Sequence, residues 1–205
     1  MIESWLQRWR EGCIGWHEEG GNASLKKHWK ARGRRVLVPM CGKTVDMLWL
    51  EEQGNSVAGV ELSDIAARAF FEENRLQYTI HEGRLPAYTA HGRDITIYCG
   101  DLFAFDEPGF TGWYDRGAFV ATPTEQRPAY AEHINALLAP DACRLLITLE
   151  YDDSIATGPP FSISPDEIRR YWPDLQQVDR YDDIDNGPPK FRDAGLTEMF
   201  ETIWR

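Results

Sequence analysis

The sequence predicts an α/β fold in which a mostly parallel sheet is covered by helices on both faces. Short apolar runs such as VLVP at 36–39 and SVAGVE at 56–61 alternate with segments of helical periodicity, and this alternation is typical of parallel sheets. A turn with one glycine, PMCGK at 39–43, joins the first of these strands to the next helix. Because sheets of this kind bind ligands at the carboxyl ends of their strands, we expect the functional residues along that edge.

Two helices are predicted before the first strand. In SWLQRWREG, Trp5 and Trp9 recur at helical spacing, and the glycine that follows is a stop signal. Residues 24–32 form the second predicted helix, with Ser24 as its N-cap and Gly33 beyond its end. The first helix is amphipathic, so its tryptophans either cover a ligand or pack on the core.

Helices and strands alternate from residue 33 onward. Further helices are predicted at 44–54, 63–74, 124–139 and 164–172, and further strands at 94–103, 111–120, 144–151 and in the C-terminal tail. The side chains suited to cap these helices are Thr44, Ser63, Thr124 and Ser164, the last paired with Glu167 in a capping box. Because the chain has no internal repeat and no low-complexity linker, residues 1–205 are expected to form a single domain.

The composition argues against several kinds of partner. A net charge of −11 disfavours general binding of nucleic acid, because that affinity rests on lysine and arginine neutralising phosphates. No apolar run reaches the roughly 20 residues needed to cross a bilayer, and none has the pattern of a signal peptide. The sequence therefore predicts a cytoplasmic protein without a nucleic-acid or membrane partner.

The cysteines and histidines do not indicate a metal site. The 4 cysteines lie far apart without a CxxC pair, and the 5 histidines show neither HxxxH nor HExxH spacing. Free buried thiols are the expected state of such cysteines. We therefore expect no metal ion.

The loop after the first predicted strand is poor in glycine. Gly42 allows a ligand to approach the backbone, and free N–H groups at the start of the next helix favour partial negative charge, such as a carboxylate. Glu61 ends the next strand, where Rossmann-like folds place the acid that accepts ribose hydroxyls. A dinucleotide needs several glycines around its two phosphates, whereas this loop has one and carries Met40 in the turn. The pattern favours an adenosine-type ligand without phosphates, although Met40 and Cys41 are also consistent with core residues.

Two further polar groups end predicted strands. Asp101 and Leu102 follow DITIYCG, where they are suited to receive an adenine, although Asp more commonly caps a turn there. Asp115 and Arg116 lie within TGWYDRGAFV, at the tip of the fourth predicted strand, where a conventional strand would keep apolar residues. This pair is either functional or a plain ion pair.

Several segments form a recognisable series in chain order: the N-terminal tryptophan pair with IGWH, VLVPMCGKTVDMLWLEEQGNSVAGVELS, WYDRGAFVA, YAEHINALL and EYDDSIATGPPFSIS. Together they resemble the thiopurine S-methyltransferase family of class I S-adenosylmethionine-dependent methyltransferases. The match runs nearly from end to end, and CGKxxDM followed by GxELS is far more specific than a single glycine motif.

The resemblance implies a Rossmann-like, seven-stranded, mostly parallel sheet, with a helical lid at 1–32 over an α/β core at 33–205. The implied cofactor is S-adenosyl-L-methionine, and the residues assigned to it are Trp5, Trp9, Met40, Gly42, Glu61, Asp101, Leu102 and Arg116. The residues assigned to the acceptor are Trp16, where the family commonly has phenylalanine, Arg116, and Lys190 or Arg192. Met40 replaces the family's usual leucine, which conserves volume.

The implied reaction is in-line transfer of a methyl group to the sulfur of an aromatic or heterocyclic thiol. Arg116 would orient the acceptor and stabilise its anionic form, with Asp115 as its partner, and no residue is assigned as a general base. Inorganic selenium or tellurium species, hydrosulfide and halides are alternative acceptors, which would make the protein a detoxifying enzyme. An NAD-dependent oxidoreductase and an inactive binding module on the same scaffold are competing interpretations of the sequence. A monomer with a small-molecule partner is expected.

Overall fold

The structure is a computed structural model that describes residues 2–15 and 17–205, apart from the side chain of residue 2. Trp16, which the resemblance assigns to the acceptor, lies outside the described residues. The chain forms two compact units, Met1–Trp113 with Leu137–Ala142 and Tyr114–Ala136 with Cys143–Arg205. This division differs from the expected boundary at residue 32, and the single domain with a lid stays a prediction.

The regular elements are numbered along the chain. The helices are α1 (Ile2–Glu11), α2 (Ala23–His28), α3 (Asp46–Glu52), α4 (Asp64–Glu73), α5 (Arg127–Leu137), α6 (Pro165–Tyr171) and α7 (Pro189–Asp193). The strands are β1 (Arg35–Pro39), β2 (Ser56–Glu61), β3 (Tyr78–His81), β4 (Ala87–Ala90), β5 (Ile95–Cys99), β6 (Phe110–Asp115), β7 (Leu138–Glu150), β8 (Gln177–Asp182) and β9 (Phe200–Trp204). Short 3₁₀ turns lie at Leu102–Ala104, Phe119–Ala121 and Thr124–Gln126. No helix among the described residues has both the length and the apolarity to cross a membrane.

The first unit has a parallel centre with an antiparallel edge. Its strands lie in the order β3-β4-β5-β2-β1-β6, and the pairs β5/β2, β2/β1 and β1/β6 are parallel. Pro39 pairs with Val60, and Glu61 pairs with Cys99, so β1, β2 and β5 end at one edge. The β-branched and aliphatic residues of β1 and β2 are buried because both faces of a central parallel strand are covered. Large buried side chains of this unit include Leu37, Met47, Leu50, Phe70, Phe71 and Trp113.

The second unit has antiparallel strands. β9 lies between β7 and β8, with Ile147 opposite Ile203 in the β7/β9 pair. β6 enters this unit through its last two residues, and the segment leading to α5 follows directly. Large buried side chains here include Phe119, Tyr130, Ile134, Trp172, Phe191 and Ile203.

The structure confirms the α/β class with parallel central strands, but the sheet has nine strands where the resemblance implied seven. β3 and β4 form an antiparallel hairpin, and β8 is an edge strand that is exposed along most of its length. The sequence pattern did not predict β3, β4 or β8. An exposed edge strand such as QVDRYD lacks the apolar alternation that predicts strands.

Two predicted helix starts are wrong by one or two residues, and two are confirmed. The N-cap of α2 is Asn22, whose Oδ1 accepts a hydrogen bond from the Leu25 amide at 2.9 Å, and not Ser24. α2 also ends at His28, before Gly33. The Thr44 hydroxyl accepts from the Asp46 amide, so α3 begins two residues later than predicted. The predicted caps of α4 and α6, Ser63 and Ser164, each accept an amide hydrogen bond at 3.3 Å.

Thr124 does not cap α5. A 3₁₀ turn at Thr124–Gln126 precedes the helix, and the capping position of that turn is Pro123, without a side-chain hydrogen bond. α5 therefore begins at Arg127, later than the sequence pattern predicts. This start places Arg127 in the first turn of the helix, where its side chain has a role described below.

Candidate active site

In the first unit, Glu61 is the centre of a hydrogen-bonded cluster at the carboxyl ends of β1, β2 and β5. Its Oε2 accepts a hydrogen bond from the Gly42 amide at 2.7 Å, and its Oε1 accepts one from the Ser63 amide at 2.8 Å. Its main-chain carbonyl accepts from the Gly100 amide at 2.8 Å. One residue therefore joins the loop after β1, the start of α4 and the loop after β5.

The Glu61 carboxylate is buried, with 6 % of its surface exposed. Burial raises the pKa of Glu61 because it disfavours the charged form, while the hydrogen bonds from backbone amides act in the opposite direction. Each carboxylate oxygen has two lone pairs, so an oxygen that already accepts an amide can also accept a ligand hydroxyl. The geometry is suited to the ribose hydroxyls expected from the strand-end position.

The loop after β1 takes an unusual backbone conformation. Met40 has φ +45° and Gly42 has φ +54°, and a positive φ is uncommon for a residue other than glycine. The Met40 side chain is 38 % exposed, so the alternative that it is a core residue is wrong. Cys41 is buried, as that alternative supposed, and its amide donates to the Val60 carbonyl at 3.0 Å. Burial also raises the pKa of the Cys41 thiol, which disfavours the reactive thiolate form.

Gly59 makes room for this loop, a role that the sequence analysis missed. A Cβ at residue 59 would lie 2.6 Å from Cys41 Sγ and 2.9 Å from Met47 Sδ. Glycine is therefore needed where the loop and α3 pack on β2. The signal was the glycine inside the strand SVAGVE, which is typical of a close approach of other atoms to the strand.

Helix α1 brings Trp9 onto the same loop. A Cβ at residue 42 would lie 3.2 Å from the Trp9 ring, so the indole packs directly against Gly42. Trp9 is 9 % exposed, and Trp5 is half-buried with the Arg8 guanidinium 5.1 Å from its ring centroid. The structure therefore brings Trp9 together with Gly42 and Glu61, and the contact of both tryptophans with a cofactor stays a prediction.

The turn after β5 lies beside Glu61 through the Gly100 amide. Asp101 is exposed, and its Oδ1 accepts from the Phe103 amide at 3.0 Å, which is the turn-capping role common for Asp. Leu102 is buried, whereas Phe103 is 42 % exposed. Phe103 is an exposed aromatic group beside Asp101 that sequence reasoning did not single out. The sequence feature that could have indicated Phe103 is its position directly after the predicted pair, Asp101 and Leu102.

In the second unit, Asp115 lies at the end of β6 and is almost completely buried. Its Oδ1 accepts from the Ala118 and Phe119 amides at 3.0 and 3.2 Å, and its Oδ2 accepts from the Tyr130 hydroxyl at 2.5 Å. Burial raises the pKa of Asp115 to about 6, against the lowering effect of these three hydrogen bonds. The contacts of this carboxylate fix the turn that carries Arg116, and the expected pairing of Asp115 with Arg116 stays a prediction.

The basic residues expected near the acceptor are also in this unit. Arg116 is half-buried in the turn after β6. The Lys190 ammonium is exposed and donates to the Thr157 and Pro159 carbonyls at 3.1 and 2.7 Å. The Arg192 guanidinium donates to the Asp185 carbonyl at 2.9 Å. Lys190 thus anchors the TGPP loop, and the assignment of either C-terminal basic group to the acceptor stays a prediction.

The central parallel strands, the loop with a single glycine and the acid that closes β2 define a Rossmann-like α/β fold, whose strand edge is suited to a nucleoside. The chain is similar to the 1,6-didemethyltoxoflavin-N1-methyltransferase of Burkholderia thailandensis, solved with 1,6-didemethyltoxoflavin and S-adenosylhomocysteine bound. The TM-score is 0.64 at 19 % identity, covering 100 % of this chain and 86 % of that one. For a TehB-like methyltransferase of Corynebacterium glutamicum the TM-score is 0.55 at 17 % identity, covering 99 % and 96 %.

The family model described as thiopurine S-methyltransferase matches residues 1–205. A thiopurine S-methyltransferase of Bordetella petrii is 43 % identical over 99 % of this chain and 96 % of its own length. One of Pseudomonas fluorescens is 39 % identical over 100 % and 96 %. The chain belongs to the thiopurine S-methyltransferase family. It is an S-methyltransferase, and its cofactor is S-adenosylmethionine.

Proposed function

We propose that the protein methylates the sulfur of anionic aromatic or heterocyclic thiols. Family membership supports S-methyl transfer, and one observation carries the choice of an anionic acceptor. Arg116 is a half-buried guanidinium in a turn whose backbone is fixed by the buried carboxylate of Asp115. A cation held in this way favours the thiolate over the thiol.

Residues of the first unit fit S-adenosylmethionine. We assign the ribose hydroxyls to Glu61, because its carboxylate lies at the strand edge and is held by two amides. Met40 offers an exposed thioether beside an apolar ligand chain, and the exposed Asp101 carboxylate is suited to accept from an adenine amine. The Trp9 indole, packed on Gly42, can stabilise a sulfonium by a cation–π contact worth about 0.5–2 kcal/mol. The cofactor supplies the electrophilic methyl group.

The residues that we propose for the acceptor are Arg116, Lys190 and Trp16. Arg116 orients the thiolate and lowers its effective pKa, which places more of the acceptor in the nucleophilic form. Asp115 does not need to act as a base, because its carboxylate already accepts three hydrogen bonds. We keep Trp16 and Lys190 as proposed acceptor contacts, and we assign no general base. The cytoplasmic location and the monomeric state stay predictions.

The experiment that tests the acceptor class is the release of S-adenosylhomocysteine across a panel of acceptors. The panel contains acidic aromatic thiols, neutral aliphatic thiols, hydrosulfide, reduced selenium and tellurium species, and halides. We expect the highest kcat/KM for acidic aromatic thiols, and we expect Arg116→Ala to reduce that preference. If inorganic species were methylated and no thiol were, the thiol assignment would be wrong and a detoxifying role would replace it. Titration with NADH, which should show no binding, tests the oxidoreductase interpretation.

A further inference from the structure

The turn that carries Arg116 is held at both ends by the first turn of one helix. The segment 115–122 begins at the last residue of β6, and α5 begins at Arg127. Arg127 and Tyr130 are three residues apart in α5, so they share a helix face. Each makes a polar contact with one end of the 115–122 segment.

Tyr130 holds the first end. Its hydroxyl donates to Asp115 Oδ2 at 2.5 Å, while Asp115 Oδ1 accepts the Ala118 and Phe119 amides. Tyr130 and Asp115 are both almost completely buried. The hydroxyl therefore fixes the orientation of the carboxylate that shapes the backbone on either side of Arg116.

Arg127 holds the second end. Its Nε donates to the Thr122 carbonyl at 3.0 Å, and its Nη1 donates to Glu167 Oε2 at 2.7 Å. The guanidinium lies 5.9 Å from the Phe119 ring centroid and 5.7 Å from that of Phe161. Arg127 is only 3 % exposed, and burying an ion pair is a poor way to gain stability. Its geometry is better explained by the backbone that it holds in place.

A neighbouring loop is tied to the same segment. The Phe161 amide donates to the Val120 carbonyl at 2.6 Å, between the two points held by α5. The Thr122 hydroxyl also donates a hydrogen bond to the Ala118 carbonyl at 2.8 Å. The segment around Arg116 is therefore fixed at several backbone atoms, and two of the groups that fix it come from α5.

We propose that Arg127 and Tyr130 are positioning residues that hold the 115–122 segment and thereby orient Arg116 toward the acceptor. The proposal rests on the proposed function, because it takes Arg116 as the group that binds the acceptor. Neither side chain needs to touch substrate or cofactor. Their effect should be on the acceptor and not on the affinity for S-adenosylmethionine.

The contact between Tyr130 and Asp115 adds a pH dependence to this arrangement. The groups that face Asp115 are the Tyr130 hydroxyl from α5 and the Ala118 and Phe119 amides from the following turn. Burial raises the pKa of Asp115 to about 6, and the Tyr130 hydrogen bond acts against this rise. Protonation of Asp115 weakens the hold of its carboxylate on the turn, so kcat/KM should fall on the acid side. Removal of the hydroxyl should raise the pKa further and move that acid limb to higher pH.

The test compares Tyr130→Phe and Arg127→Lys with wild type. The matched control is Tyr88→Phe. Tyr88 is also buried, and its hydroxyl also donates a hydrogen bond to an aspartate, Asp64. Three quantities are measured: the cofactor dissociation constant, the pH dependence of kcat and KM for an acidic aromatic thiol, and hydrogen exchange of residues 116–121.

We expect Tyr130→Phe to lower kcat/KM on the order of tenfold, mainly through KM, because misplacement of a binding group weakens orientation. The acid limb should move to higher pH, and the Ala118 and Phe119 amides should exchange faster. Arg127→Lys keeps the charge but loses the fork geometry, so it should lower kcat/KM without moving the acid limb. Cofactor affinity should stay unchanged in both variants, and Tyr88→Phe should behave as wild type.

Failure of the proposal and failure of the proposed function give different results. If wild type methylates thiols but Tyr130→Phe keeps its acid limb, its KM and its exchange pattern, the positioning role is wrong. If wild type methylates none of the acceptors, the proposed function is wrong. Faster hydrogen exchange confined to residues 116–121 in Tyr130→Phe would then still show that α5 fixes the conformation of this segment. If Tyr130→Phe does not fold, Arg127→Lys decides: faster exchange of residues 116–121 supports the hold, and an unchanged pattern overturns it.

Discussion

Glu61→Gln tests the centre of the proposed cofactor site without changing the volume of the side chain. In wild type the two carboxylate oxygens accept the Gly42 and Ser63 amides at 2.7 and 2.8 Å. Glutamine keeps one acceptor oxygen and places an NH₂ group against the other amide. One hydrogen bond to a charged group is lost, which is worth about 1.5–3 kcal/mol, and two donors then face each other in a buried position.

We expect two separate consequences. The unfolding free energy should fall by roughly 1.5–3 kcal/mol, because the loop after β1 or the start of α4 loses its partner. The affinity for S-adenosylmethionine should fall tenfold or more, equivalent to about 1.4 kcal/mol, because a ribose hydroxyl loses a charged acceptor. Urea denaturation measures the first quantity, and titration calorimetry on the folded variant measures the second.

The matched control is Glu73→Gln, which removes a carboxylate of the same unit. Glu73 forms an exposed ion pair with Lys43 at 2.7 Å, and such surface pairs contribute little. We expect its stability and its cofactor affinity to stay near those of wild type. If Glu61→Gln lost stability but bound the cofactor as tightly as this control, Glu61 would only hold the loops together and the ribose assignment would be wrong.

Three further substitutions test other parts of the site. Arg116→Ala should lower kcat/KM for an acidic thiol on the order of tenfold with little change in melting temperature, and Arg169→Ala, which removes an exposed cation paired with Asp166, serves as the comparison; equal rates for the two variants would exclude the anion role. Trp9→Ala should raise the cofactor dissociation constant measured by calorimetry, whereas Trp29→Ala, a core substitution, should lower the melting temperature alone; the same behaviour in both would make Trp9 a core residue. Asp115→Asn should change the pH dependence of urea unfolding. Because burial raises the pKa of Asp115 from 3.8 to about 6, the folded state binds more protons in that window, and wild type should lose about 3 kcal/mol as the pH rises through it. Asp115→Asn should not show this loss. If its unfolding free energy changed with pH as steeply as that of wild type, the raised pKa of Asp115 would be wrong.

The strand edge could be predicted from the sequence because it depends on local signals. A β-branched run that ends in a glycine turn predicts where β1 stops, and SVAGVE coincides with β2 from its first to its last residue. Ser63 caps α4 as predicted, because it directly precedes the first helical turn. Gly42 and Glu61 were found in the same way, since both positions follow from where a strand ends.

The remaining features depend on contacts between distant parts of the chain. Nothing local indicates that the Gly42 amide donates to Glu61, or that Met40 takes φ +45° where glycine would be ordinary. Asn22 and Ser24 are both good N-caps two residues apart, so propensity alone could not choose between them. Arg127 belongs to a residue type that is usually exposed, and only the tertiary structure shows that it is buried against the Thr122 carbonyl.

The Glu61 contact also explains why a loop with one glycine suits this cofactor. In a loop that binds a dinucleotide, backbone amides at this edge point toward a diphosphate. Here the Gly42 amide is already taken by the protein's own carboxylate, so the anion position is filled by the chain itself. A diphosphate would meet both a missing donor and a buried negative charge. In the proposed site, a ligand with hydroxyl groups and a positive sulfonium would instead meet acceptors at Glu61 and the aromatic face of Trp9, which packs on the same glycine. The preference for S-adenosylmethionine over a dinucleotide therefore depends on the hydrogen bond from the Gly42 amide to Glu61. Glu61→Gln, which weakens this bond, tests the preference most directly.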